Sequence, residues 1–459
     1  MPLMVSVSGV RGIFGADLSP NSIIKYTYAF LKQLNTSTRR ILIGRDTRES
    51  GKIIEKIIEG TINALGYDTI NIGIAPTPTI LLATRKYRCS GGIAITASHN
   101  PPQWNALKLC DEKGLFLDEE KVEALKAYAE KVENSSIPWK GLGELGKSAS
   151  SKVARKLHID EVLKILDISP IRKKRFRIAI DPGSGAGSTI DREFLERLGC
   201  EVFSINEKPQ GYFPRNPEPL PEYLGDLCKL VRSESTHIGF AQDPDADRLA
   251  VVSETGVPIG EEHTIVLAGE AYLRKDKTDI ACNLSTSMMF DDLGKRHNVR
   301  VLRTKIGEIH VTRCMLLNRI QYGGEGNGGV IVPSINPCRD SLVGMGLILE
   351  LLSKSNRTLS ELISEYPSYI MKKIKIDMNF ILKTDEIYER ILMKGKSVFQ
   401  DYSYNILDGI KFYNEREWLH IRSSNTEPVV RIVAESKYQD RTDELIEIGK
   451  KLVKTTYYK

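Results

Sequence analysis

The sequence predicts three successive α/β domains with mixed, largely parallel sheets, followed by a smaller α+β domain. Three observations predict it. Short apolar runs alternate with helix-periodic runs from the start of the chain, as they do where strands alternate with covering helices. The alternation restarts twice, after a loose Gly, Ser and Pro-rich stretch at Glu133 to Ser151 and again near Glu261. From about Tyr369 it gives way to short strands and a closing helix. Length alone suggests about three domains. The restarts make four, spanning 1–150, 151–256, 257–368 and 369–459.

Each element has a local reason. Ser19 and Pro20 read as an N-cap and a first helical position, opening a helix to about Leu34. Arg40 to Gly44, Asp68 to Ile72 and Gly92 to Thr96 are short buried strands, with helices over Lys52 to Leu65 and Asp118 to Val132. Glu133 to Ser151 reads as a linker. The second round has strands at Phe176 to Asp181, Glu201 to Ile205, Ile238 to Ala241 and Leu249 to Ser253, with a helix near Thr189 to Leu198. The third has strands at Asp279 to Asn283 and Val299 to Arg303 and helices near Met288 to Arg296 and Ser341 to Ser353. The last domain has a helix near Asp385 to Ser397 and an amphipathic helix from Arg441.

Composition narrows the function classes. With 41% hydrophobic and 27% charged residues the chain is ordinary globular material. No apolar run reaches the roughly 18 residues that span a bilayer. The start, MPLMVSVSGVRG, lacks the basic-then-apolar pattern of a secretory signal. The seven cysteines are scattered, with no C-x-x-C, so a reducing, cytoplasmic setting is expected. A formal charge of +6 without a long basic tract argues against nucleic acid. It suits a cleft for phosphorylated small molecules.

Four loops carry the chemistry. Thr96-Ala97-Ser98-His99-Asn100-Pro101-Pro102 directly follows a strand, where open α/β sheets bind ligands. Two prolines stiffen the turn, so Ser98 is placed as an attacking oxygen. Lys108, ten positions on, returns to the same region as a proton donor or acceptor. A bare turn with Ser and His for local hydrogen bonds is the competing reading. Asp243-Pro244-Asp245-Ala246-Asp247-Arg248 sets three carboxylates within five residues. Charges this close repel unless a cation lies among them, and hard oxygens select Mg²⁺ or Ca²⁺. An EF-hand loop is excluded by Arg248 where a glycine is required and by the strand-like flank LAVVS. A solvated acidic turn is the remaining alternative.

Gly323-Gly324-Glu325-Gly326-Asn327-Gly328-Gly329 is a backbone that turns sharply or approaches a ligand. Glu325 and Asn327 supply its hydrogen-bonding side chains, as a hydroxyl-rich ligand requires; a hairpin tip reads the same way. Arg422-Ser423-Ser424-Asn425-Thr426-Glu427-Pro428, followed by Arg431, combines a guanidinium, hydroxyls and turn amides into an anion nest. It also reads as a polar turn between strands. Gly183 to Gly187 lacks the spacing of a dinucleotide loop and reads as a structural turn. His158, His237, His263, His297, His310 and His420 have no metal-ligand spacing.

In order, TASHNPP, DPDADR, GEGNGG and RSSNTEP resemble the serine, metal, sugar-binding and phosphate-binding loops of the α-D-phosphohexomutase family, one per domain. The resemblance covers essentially the whole chain, with the nearest likeness to archaeal-type phosphomannomutase/phosphoglucomutase enzymes. SGVRG and GRDTR also match and put Arg11 and Arg48 near the reaction centre. The resemblance implies four domains around a central cleft. It makes Ser98 the phosphoryl carrier, and Ser98, Asp243, Asp245 and Asp247 the ligands of one Mg²⁺ per subunit. Arg248 then lies against the phosphoserine, Lys108 transfers a proton and His99 assists. Gly307, Glu325 and Asn327 meet the sugar. Arg422, Ser424, Asn425, Thr426 and Arg431 hold the phosphate that is not reacting. Several family members carry G-E-x-S-G-H in the sugar loop; Asn327 and Gly329 replace its Ser and His here, which shifts the proton role towards Lys108.

The implied reaction interconverts hexose 6-phosphate and hexose 1-phosphate, of mannose or glucose, through a hexose 1,6-bisphosphate. SNTEP, where SGTEP is frequent in glucosamine-phosphate mutases, favours mannose and glucose phosphates over the alternative of glucosamine phosphate. A silent sugar-phosphate sensor and a phosphatase with a phosphoserine intermediate are the readings from other classes. No heptad or symmetric-interface pattern reveals an oligomeric state.

Overall fold

A computed structural model describes residues 3–34, 38–132, 137–377, 385–423 and 429–457. Four sheets follow one another along the chain, each built from one of the four successive stretches. The first comprises β1 (Met4–Ser6), β2 (Gly9–Ile13), β3 (Arg40–Arg45), β4 (Asp68–Ile74), β5 (Gly91–Ile95), β6 (Trp104–Asp111) and β7 (Ser148–Ser150). Their order is β1-β2-β6-β5-β3-β4-β7. Parallel pairs lie at β5-β3-β4-β7 and antiparallel pairs at β1-β2-β6-β5. The expected linker is therefore partly sheet, because Ser148–Ser150 pairs with β4. A pattern rule misses so short a strand, since its backbone is tied in while all three residues stay exposed.

The second sheet comprises β8 (Arg177–Asp181), β9 (Glu201–Ser204), β10 (Ile238–Gln242) and β11 (Leu249–Ser253), in the order β11-β10-β8-β9. The third comprises β12 (Ile280–Asn283), β13 (Val301–Thr304), β14 (Tyr322–Glu325), β15 (Gly329–Val332) and β16 (Asn336–Arg339), in the order β13-β12-β14-β15-β16. Each joins parallel central strands to an antiparallel edge. The fourth comprises β17 (Ile370–Asp377), β18 (Ser403–Asn405), β19 (Ile410–Tyr413), β20 (Trp418–Ser423) and β21 (Val429–Ser436) and is wholly antiparallel.

Several elements lie where the sequence pattern assigns none. They include the β1-β2 hairpin, β6 and the helices Thr77–Lys86, Glu261–Leu273 and Glu308–Asn318. Helix Thr77–Lys86 starts after Pro76 with Pro78 in its first turn, a position proline tolerates. Ser19 caps helix Pro20–Gln33 as expected, its Oγ accepting from the Ser22 amide.

The apolar cores explain how the loops are held. The second and third units share one continuous core, from Ile159 and Phe194 through Phe240 to Leu267, Phe290 and Leu347. The first and fourth have cores of their own. A smaller cluster joins Ile80, Leu81 and Cys110 of the first unit to Ile309 and Cys338 of the third. The serine, aspartate and glycine loops therefore project from bodies packed directly together. Among the described residues no helix is long and apolar enough to cross a membrane.

Candidate active site

The serine loop spans the gap between β5 and β6. Its path is set from beneath by Arg48, which is fully buried. Arg48 Nη2 donates to the carbonyls of Ser98 (2.5 Å) and Asn100 (2.7 Å), and Nη1 to those of Pro101 (2.7 Å) and Trp104 (2.9 Å). Its Nε donates to Asp46 Oδ2 at 3.0 Å. Thr96 Oγ1 donates to Asp46 Oδ2 (2.6 Å) and accepts the Ser98 amide (2.9 Å). So held, Ser98 takes φ +50°, a left-handed conformation that costs a non-glycine residue on the order of 1–3 kcal/mol. The strain turns its Oγ to donate to Asp243 Oδ2 at 2.8 Å. Arg48 thus acts on the loop's backbone, while Arg11 reaches its surface through Asn100 Oδ1 at 2.5 Å.

The aspartate loop joins β10 to β11, so its flanks are strands. Asp243 Oδ1 accepts the amides of Asp247 (3.2 Å) and Arg248 (3.1 Å). Asp245 Oδ2 accepts Lys108 Nζ and Thr77 Oγ1, each at 2.7 Å. Asp247 Oδ2 accepts Arg339 Nη2 at 2.6 Å. Asp245 Oδ1 and Asp247 Oδ1 are buried without a hydrogen-bond partner among the described residues. One oxygen from each of the three aspartates lies within 4.8 Å of the others. Orphaned buried carboxylate oxygens in a tight trio fit a hard divalent cation. Burial, with Asp247 and Asp245 beside it, pushes Asp243 well above the usual carboxylate range. Burial acts the same way on Asp245, but Lys108 overrides it and holds that carboxyl below the range. The Gly183 to Gly187 turn supports this loop. A Cβ on Gly185 would lie 2.7 Å from the Pro244 carbonyl oxygen, so close backbone approach explains the glycine.

Around this cluster stand the remaining predicted groups. Lys108 is buried, and against the pull of burial Asp245 and Asp247 raise its pKa, keeping it charged. His99 Nδ1 is 3.4 Å from Ser98 Oγ; burial, then Arg248 and Arg11, lower its pKa and keep it neutral. Arg248 Nη1 donates to Glu218 Oε1 (3.1 Å), which also stands 4.0 Å from His99 Nε2. Glu218 lies in the loop after β9, and its local pattern carries no signal.

The Leu249 amide, just after the aspartate loop, donates to the Gly328 carbonyl at 3.0 Å, and the side chains of the two loops are joined by a residue absent from the sequence-based set. Arg339, at the end of β16, donates from Nη1 to Glu325 Oε2 (2.9 Å) and from Nη2 to Asp247. Glu325 Oε1 accepts Asn283 Nδ2 (2.9 Å) and the Gly307 amide (3.2 Å). Asn327 Oδ1 is buried without a partner among the described residues. The signal for Arg339 was a charged pair, Arg339-Asp340, between a strand and a helix, with Asp340 capping that helix.

Arg422 on β20 and Arg431 on β21 are opposite one another in the ladder. Arg422 Nε is 3.4 Å from Asp408 Oδ1, and Asp408 Oδ2 accepts the Ile306 amide at 2.9 Å. The C-terminal unit is thus tied to the segment carrying Gly307. Ser424, Asn425 and Thr426 lie outside the described residues. Within them, the fold brings Ser98, His99, Arg11, Lys108, Arg248 and the three aspartates together, and links Glu325 and Gly307 to them through Arg339.

Four family models match the chain in order. They are the phosphoglucomutase/phosphomannomutase alpha/beta/alpha domains I, II and III, at residues 3–136, 156–256 and 260–369, and the C-terminal domain, at residues 378–448. A phosphoglucomutase/phosphomannomutase of Thermococcus kodakarensis is 35% identical, with 97% of each chain covered. A phosphoglucosamine/phosphogalactosamine mutase of Sulfurisphaera tokodaii is 30% identical, with 99% of each covered. Among solved structures, a phosphoglucomutase/phosphomannomutase family protein of Burkholderia thailandensis superposes with a TM-score of 0.85 at 21% identity, covering 99% of this chain and 98% of that one. At that identity the likeness speaks for the fold.

Proposed function

Since the chain belongs to the phosphoglucomutase/phosphomannomutase family of phosphohexomutases, we propose that it interconverts the 6- and 1-phosphates of mannose or glucose through phospho-Ser98. The observation that carries this reading is the strained Ser98, whose Oγ donates to Asp243 among three clustered aspartates. Phosphoryl transfer needs positioning and charge neutralisation above all. Asp243, Asp245 and Asp247, with the serine phosphate, would hold Mg²⁺, which when bound offsets charge on the phosphoryl group.

Glu325 and Asn327 orient the sugar so that its free hydroxyl oxygen faces the phosphorus of phospho-Ser98. The hydroxyl oxygen bonds to phosphorus as the bond to Ser98 Oγ breaks. The hydroxyl proton is relayed to the departing Oγ, with Lys108 as the main carrier and His99, whose Nδ1 lies 3.4 Å from Ser98 Oγ, assisting. Arg248 and Arg11 balance charge. The product, a hexose 1,6-bisphosphate, turns over and returns its other phosphoryl group to Ser98. Arg422, Arg431, Ser424, Asn425 and Thr426 hold whichever phosphate is not reacting.

The Sulfurisphaera relative favours a second reading, in which an amino-sugar phosphate is the substrate. Side-by-side assays of glucose 1-phosphate, mannose 1-phosphate and glucosamine 6-phosphate separate the two. Mass spectrometry of the purified protein tests whether Ser98 carries phosphate, and a singly phosphorylated Ser98 is expected. Ser98→Ala is expected to lower turnover roughly 10⁴-fold or more. Unchanged turnover in that variant would refute the phosphoserine route.

A further inference from the structure

Residue 329 is a glycine for a reason that lies on another strand. A Cβ built there would fall 2.2 Å from Arg339 Cδ and 2.8 Å from its Cγ. The Arg339 side chain already fills the space that a side chain at 329 would need. Its guanidinium joins three segments, with Nη2 on Asp247 (2.6 Å), Nη1 on Glu325 (2.9 Å) and Nε 3.3 Å from Glu308 Oε2. Glu308 Oε1 also accepts the Arg339 amide at 2.6 Å. The footing is rigid. Next along the chain, Asp340 pairs with buried His158 (2.6 Å), which in turn meets Thr79 Oγ1 (2.8 Å) of the first unit. A planar fork held from below can set the spacing of two carboxylates, which a point charge cannot do.

We propose that Arg339 is a positioning residue for the phosphoryl transfer: it fixes Glu325 of the glycine loop against Asp247 of the aspartate loop, and Gly329 is the vacancy it requires. The inference rests on the phospho-Ser98 reading. One loop faces the sugar and the other the phosphoryl group, so Arg339 sets the approach of the hydroxyl oxygen to phosphorus. Because a guanidinium keeps its charge, this position contributes geometry and takes no proton.

The test uses the full chain with Ser98 phosphorylated, as parent, Gly329→Ala, Arg339→Met, Arg339→Lys and the double variant Gly329→Ala/Arg339→Met. Gly329→Ala leaves every charge in place, so it decides the matter if Arg339→Met does not fold. Transfer to hexose 6-phosphate is followed in single turnover beside the slower loss of phosphate to water. Gly329→Ala and Arg339→Met are each expected to slow transfer about 100-fold, as a misplacement of order 1 Å does, with KM within about threefold. Loss to water should be unchanged, Arg339→Lys should recover part of the rate, and the double variant should be no slower than Arg339→Met. Transfer within about threefold of the parent, additive losses in the double variant, or loss to water falling in step with transfer would each overturn the proposal. A parent protein that carries no phosphate on Ser98 and exchanges none with sugar phosphates would remove the underlying reading too, and that result is visible without any variant.

Discussion

The serine loop and the glycine loop are each held by one buried arginine, and the two arginines are used differently. Arg48 gives four of its donor contacts to backbone carbonyls and one to Asp46. Arg339 gives its contacts to the carboxylates of Asp247, Glu325 and Glu308. Carbonyls fix where a chain runs; carboxylates fix where charges stand. The first arrangement imposes the unusual backbone of Ser98, and the second sets the distance between two loops from different sheets. An arginine bonded to the backbone should therefore matter most to folding, and one bonded to charges should matter most to rate.

Breaking the first arrangement gives the largest effect on stability. Arg48→Met removes a buried cation from Asp46 and leaves four carbonyls in need of partners. We expect a loss of about 3–5 kcal/mol from the first unit, the range for removing one partner of a buried charge pair. Denaturant unfolding followed by hydrogen exchange on residues of β3, β5 and β6 measures it. A loss below about 1 kcal/mol would mean that the loop holds its shape unaided, and the contrast with Arg339 would fall.

The same contrast explains what could be read from the sequence. Ser98 and the aspartates follow the strands β5 and β10 directly, so strand-then-loop reading reaches them. Arg339 and Asp247 are 92 residues apart, and Glu218 and Arg248 are 30 apart. No local pattern marks such a pair, because what unites them is packing between sheets. The β1-β2 hairpin escaped for a related reason. Its strands of three and five residues, mostly half-buried, are too short for an alternation to declare itself. The restarts of the α/β pattern were legible because every round needs its own apolar strands. The shared core of the second and third units was not, since nothing in one round's pattern tells which neighbour it will pack against.

Acid sharpens the comparison with a smaller effect. Glu325 is pushed upward by burial, but Arg339 and Asn283 win and hold its carboxyl below the usual range. A depressed pKa contributes stability that is present above the usual glutamate value near 4.3 and is lost as pH falls through the folded value. Burial raises Asp46 in spite of Arg48 and Thr96. A raised pKa contributes in the opposite sense, its share being present at low pH and lost as pH rises through the folded value. Lowering the pH from about 5 should therefore loosen the glycine loop while the serine loop holds. The amide of Gly307, bonded to Glu325, and that of Ser98, bonded to Thr96 beside Asp46, are the reporters. Corrected for intrinsic exchange, Gly307 should lose protection first. Loss in step, or Ser98 first, would contradict the assignment of the two networks.

The smallest effect on stability belongs to Asn327, and there the division between fold and function is cleanest. Its Oδ1 is buried in the glycine loop without a partner among the described residues, whereas Glu325 two positions earlier is bonded through both oxygens. A buried acceptor left unmade costs stability, so its retention requires a role that the free protein does not display. Asn327→Ala removes no hydrogen bond seen among the described residues, and unfolding should shift by no more than about 0.5 kcal/mol. If Oδ1 receives a sugar hydroxyl, KM for the hexose phosphate should rise about five- to tenfold, the worth of one neutral hydrogen bond. The split between KM and stability is the measurement. A variant that unfolds readily with KM unchanged would make Asn327 part of the scaffold, and the glycine loop would then resemble the serine loop after all.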